Sequence, residues 1–155
     1  MRGFALLLCV LALGACAKKD QPVTDTAMGT ATPEPAPPAI ALADVAGKWT
    51  IVVRPETGDS TLVTYELNAT ADSSGWTLVM PGRKPVAVRV VEVAGDSIVT
   101  EAGPYPSVLR KGSTVNTHSV SRLQGGKLVG TSTARYSGKG ADSVMHVRTE
   151  GTKKQ

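Results

Sequence analysis

From Lys48 onward the chain alternates apolar and polar positions with a period of two. Trp49, Ile51 and Val53 share one face of a first run, and Val63, Tyr65 and Leu67 one face of a second. Trp76, Leu78 and Met80 follow in a third run, then Val86, Val88 and Val90 in a fourth. The opposite faces carry Lys48, Thr64, Glu66 and Arg89. Successive side chains on a pleated backbone point to opposite sides, so this alternation predicts half-buried antiparallel strands. Between the runs stand Thr57-Gly58-Asp59, Ser73-Ser74-Gly75, Pro81-Gly82, Gly95-Asp96, Gly103-Pro104, Gly112, Gly125-Gly126 and Gly138-Lys139-Gly140. Residues of these types supply tight turns, and eight such signals predict eight or nine short strands. Short links favour pairing between sequence neighbours, and a meander protects its edges by curling shut. The expected fold is therefore all-β, an antiparallel up-and-down barrel, with a two-sheet β-sandwich as the alternative. Helical periodicity is almost absent.

The second half alternates less clearly. In Thr114–Gln124 one face reads Val115, Thr117, Ser119, Ser121 and Leu123, the other Asn116, His118, Val120, Arg122 and Gln124. In Lys127–Tyr136, Leu128, Gly130, Ser132, Ala134 and Tyr136 oppose Val129, Thr131, Thr133 and Arg135. Either the lumen on that side is lined by small and polar residues, or both faces meet solvent.

The amino-terminal segment obeys different rules. Arg2 precedes a ten-residue apolar run, Phe4–Leu13, and small residues follow, the composition of a secretory signal. Ten residues at 1.5 Å each reach about 15 Å, half of a bilayer core, so a membrane-spanning helix is not expected. Leu13-Gly14-Ala15-Cys16 closely resembles the lipobox of bacterial lipoproteins. The resemblance implies cleavage between Ala15 and Cys16, a diacylglycerol on the Cys16 thiol and an acylated new amino terminus. Ala12 and Ala15 leave an ordinary secretory cut as the alternative. Ala17, rather than aspartate, follows the cysteine, and in a cell with two membranes the lipoprotein sorting rule then favours the periplasmic face of the outer membrane. The expected partner is thus the membrane itself, through a covalent lipid anchor. Cys9 lies in the leader, so a chain starting at Cys16 has no free thiol for a disulfide, a metal or a nucleophile.

Residues 16–42 hold five of the ten prolines among Ala, Thr, Asp and Gln, with little apolar bulk. Such a segment cannot offset its ordering entropy and reads as a disordered tether. Its reach lies between ~30 Å as a coil and ~75 Å extended. Residues 43–155 remain as one domain, after a leader at 1–15 and the tether at 16–42. Gly47-Lys48-Trp49, opening the first strand, is similar to the Gly-x-Trp start of lipocalins and avidins, the calycin barrels. Gly126-Lys127-Leu128-Val129-Gly130-Thr131 resembles a hairpin arm of small secreted barrels. The likeness implies a tryptophan closing one barrel end, and no biotin-site constellation carries over.

Charge is unevenly spread. Cys16–Met80 holds four basic residues against eight acidic, a net of −4; from Pro81 there are twelve against five, a net of +7. A basic half suits lipid headgroups, polysaccharide phosphates or an acidic envelope protein, through Lys84, Arg89, Arg110, Lys111, Arg122 and Arg135. The plainer reading is that these cations solubilise a β-surface and blunt its edges. Nucleic acid is not expected, because no aromatic platform interleaves the cations.

Catalytic patterns are missing: no serine lies in Gly-x-Ser-x-Gly, and Glu92, Asp96 and Glu101 flank a turn. His118 and His146, taken with Asp142 or Glu150, match no metal-ligand spacing, so no metal or cofactor is expected. Six aromatic residues are few for a greasy pocket. The expected function is a non-enzymatic envelope module for an anionic partner. The alternative is a calycin-type carrier whose pocket is ringed by Trp49, Tyr65, Trp76 and Tyr136.

Overall fold

The alternating runs form eight antiparallel strands in a computed structural model that describes residues 39–138 and 143–155. The expected leader, Cys16 with its expected cleavage site, and the expected tether as far as Pro38 lie outside the described residues. A one-turn helix, α1 (Leu42–Val45), precedes β1 (Gly47–Pro55), β2 (Val63–Ala69), β3 (Thr77–Val79) and β4 (Val86–Ala94). Then come β5 (Ser97–Pro106), β6 (Ser113–Gln124), β7 (Lys127–Gly138) and β8 (Ser143–Lys153). Each strand pairs with its neighbour in sequence, and β1 also pairs with β8, Ile51 opposite Gly151, so the sheet closes into a barrel. Closure excludes the sandwich: β1 has a hydrogen-bonded strand on either side and leaves no free edge.

Among the described residues, Gly103-Pro104 is the turn signal that does not make a turn. β5 runs straight through it, with a register shift between Ala102 and Tyr105 against β6. Gly103 has φ +123°, and a Cβ there would stand 2.6 Å from the Val115 carbonyl oxygen, so glycine permits an irregular but unbroken pairing. Eight strands result rather than nine. Those of the second half are not short either: β5 to β8 have ten, twelve, twelve and eleven residues.

Up-and-down order puts α1, the β2–β3 link and the β4–β5 and β6–β7 turns at one end of the barrel. The β1–β2, β3–β4 and β5–β6 links stand at the other. The first end is closed. Val45, Trp49, Ile98 and Trp76 are almost wholly buried there, and the indole N–H of Trp49 donates to the Val45 carbonyl at 2.7 Å. The Lys153 ammonium lies 5.5 Å from the Trp49 ring centroid, and Trp76 donates to the Thr70 and Asp72 carbonyls of the β2–β3 link. Residues 39–42, which composition assigns to the tether, meet the barrel: Ile40 N–H donates to Gly95 O at 2.8 Å, and Ile40 and Leu42 pack on the core. Their apolar side chains find partners that an isolated Pro-rich segment would lack. The same packing stabilises a helix too short to persist alone.

Outward positions carry Lys48, Arg89, His118 and Arg135, all exposed. A charged outer wall is the reverse of the apolar outer band of a membrane-spanning barrel.

Candidate functional site

The lumen takes its character from the two halves of the sequence. Strands β1 to β3 and the residue after β3 present Val53, Val63, Leu78 and Met80; β6 to β8 present Thr117, Ser119, Ser132 and Thr149. The ambiguous alternation of β6 and β7 thus resolves into a small, hydroxyl-bearing wall. Its groups satisfy one another in part: Ser119 donates to Ser132 Oγ at 2.8 Å, and Thr117 donates to Ala102 O at 3.4 Å. His118 and His146 point outward, so no imidazole faces these hydroxyls.

Between the walls remain an upper cavity of ≈ 70 Å³ towards the open end and a deeper one of ≈ 40 Å³. Such volumes admit a few waters, whereas pockets for organic ligands run from about 300 Å³. Tyr65 and Tyr136 line the upper cavity as the sequence suggests. Trp49 and Trp76 do not; they are spent on the closed end, where large flat rings seal best. Tyr105, missed in the sequence because it follows the Gly103-Pro104 irregularity, lines the cavity as well. Burial raises the phenol pKa of Tyr65 strongly, and that of Tyr105 despite its hydrogen bond with Thr117. Burial raises Tyr136 too, the Arg110 cation pulling partly back.

Over this cavity folds the β5–β6 link, held by its own serine. Ser107 Oγ accepts the N–H groups of Leu109 at 3.1 Å and Arg110 at 2.9 Å, and Ser107 N–H donates to Ser113 O at 2.9 Å. Arg110 lies 4.3 Å from the Tyr136 ring centroid and hydrogen-bonds the Ser143 hydroxyl. Arg83, in the adjoining β3–β4 link, donates to Pro106 O at 3.3 Å. Pinned in this way, the link leaves Val108 and Leu109 40% and 39% exposed at its tip.

The six cations expected to act together divide among three places. Lys84, Arg110 and Lys111 stand at the open end, joined by Arg83, which the sequence reading passed over although it adjoins Lys84 in the Pro81-Gly82 turn. Arg89 and Arg135 lie on the outer wall, and Arg89 is bound to Glu101. Arg122 belongs to the closed end, 3.9 Å from Asp96. The strand alternation that buries valines inside sends these arginines outward onto different sides, so their clustering in sequence does not survive folding. By contrast, residues 80–85 and 106–113 hold four cations and no carboxylate, and none of the four enters an ion pair among the described residues.

Both histidines lie in one cross-strand row, Arg89, Glu101, His118, Thr133 and His146. His118 Nδ1 stands 3.4 Å from Glu101, and His146 Nδ1 is 3.2 Å from the Thr133 hydroxyl. No group of three or more His, Cys, Asp or Glu is placed to hold a metal among the described residues, and Asp142 lies outside them. No protein family, curated protein or solved structure matches this chain.

Proposed function

We propose that the protein is a lipid-anchored module of the bacterial envelope that binds an anionic partner through the open end of its barrel. The observation that carries this reading is the division of labour between the two ends. The chain enters beside the closed end, where Ile40 bonds Gly95 O, while four cations that enter no ion pair among the described residues gather in two adjoining links at the other. Attachment by one acyl chain is marginal, and the lipobox resemblance implies three, which makes it effectively permanent. The likeness of Gly47-Lys48-Trp49 to calycins supports the same architecture, with Trp49 at the sealed end.

Carriage of a greasy ligand is favoured less. The lumen offers ≈ 70 and ≈ 40 Å³, well short of a ligand-sized pocket. The test is retention of the purified protein on an immobilised soluble polyanion, long-chain polyphosphate, at low and raised salt. Lys84→Glu with Lys111→Glu should sharply lower low-salt retention, since neither ammonium enters an ion pair among the described residues. Absence of retention by the wild type at low salt would remove the reading.

A further inference from the structure

Resting on the anionic-partner reading, we infer that the open end is a bilayer contact. The Val108–Leu109 tip enters the headgroup region of an anionic membrane, and Arg83, Lys84, Arg110 and Lys111 meet its phosphates. Charge complementarity alone would suit any polyanion. The two apolar side chains narrow the choice, because a soluble polyanion has nothing to offer them while the boundary between headgroups and acyl chains does.

Other exposed apolar residues lack this setting. Val91, Val93 and Leu123 sit near the closed end, the first two beside Glu92, and Val144 stands apart on β8. Val108 and Leu109 are consecutive; each covers the mouth of the upper cavity with part of its side chain and leaves the rest, 40% and 39%, exposed. Their own sequence places Arg110 and Lys111 next, and the fold adds Arg83 through Pro106 O. The link is also preorganised by the two N–H groups on Ser107 Oγ, so docking it orders little that is not already ordered. Below the tip the cavity of ≈ 70 Å³ has no room for an acyl chain, so the contact is with a surface and extracts no lipid.

The experiment is co-sedimentation of the full chain with vesicles of phosphatidylcholine containing phosphatidylglycerol. Pure phosphatidylcholine vesicles give the baseline contributed by the N-terminal segment, and polyphosphate retention runs in parallel. Val108→Asp with Leu109→Asp should remove the excess binding to anionic vesicles and leave polyphosphate retention unchanged. Lys84→Glu with Lys111→Glu should lower both, the vesicle arm by about 20-fold or more, at roughly fivefold per cation. Leu109→Trp should show a blue-shifted emission on anionic vesicles only, against the constant signal of buried Trp49 and Trp76. Polyphosphate retention without excess vesicle binding would overturn the bilayer contact and spare the broader reading. Vesicle binding indifferent to Val108 and Leu109 would overturn the tip. Binding to neither would sink both proposals.

Discussion

Every tyrosine in the chain, Tyr65, Tyr105 and Tyr136, lies where burial raises the phenol pKa above its usual 10. Folding therefore favours the protonated form: the stabilisation is complete below pH 10 and is lost as pH rises through the higher folded values. The phenolate absorbance should consequently lag that of free tyrosine and then rise together with unfolding. Tyrosines that titrate near pH 10 in the folded protein would contradict the burial. At the acid end the sign reverses. A hydrogen bond from Lys127 holds Glu150 below its ordinary 4.5, and one from Lys154 does the same for Glu66. Bonds from Ser74 lower Asp72 from 3.8. These groups add stability above about pH 4.5 that disappears as pH falls through their depressed values. Lys127→Ala should flatten the acid limb of a thermal melting profile, and an unchanged limb would show that the pair contributes nothing. Gly103→Ala should cost about 1–3 kcal/mol in denaturant unfolding, because its φ is +123° and the new Cβ would meet the Val115 carbonyl.

α1 and the residues before it show what an element gains from its surroundings. Alone, four residues would not stay helical; against Trp49 they complete the closed end. Trp49→Ala should cost about 3–5 kcal/mol through the lost ring. Trp49→Phe, which keeps a ring and loses the hydrogen bond to Val45, should cost nearer 1 kcal/mol beyond its change in packing. Equal losses for both would mean that the indole contributes only bulk. The first four strands were plain in the sequence because their inward residues are uniformly apolar. β6 and β7 were ambiguous because a narrow lumen there accepts serine, threonine and glycine, which look the same on a solvated face. Gly151 illustrates the limit: a Cβ on it would stand 2.6 Å from Ile51 Cδ1, a constraint set by a strand a hundred residues away. Gly103-Pro104 misled because turns and strand irregularities use the same residues. The basic site was half legible, since Lys84, Arg110 and Lys111 needed only their turns, whereas removing Arg89 and Arg122 required knowing their acidic neighbours.

For the whole molecule, position and polarity form one argument. If Cys16 carries acyl chains, Cys16→Ser should shift the protein from the membrane fraction to the soluble envelope fraction, and unchanged retention would contradict lipid attachment. Whatever the anchor, the proposed contact is made by Arg83, Lys84, Arg110 and Lys111 in the two links of the open end. The most direct test of that contact is a backbone amide NMR titration of the folded protein with short-chain polyphosphate at low salt. Shifts should concentrate at residues 83–84 and 107–112 and spare Asp44, Asp96 and Gly125 at the other end. Shifts centred on Arg89, Arg122 and Arg135, or none at all, would contradict the account.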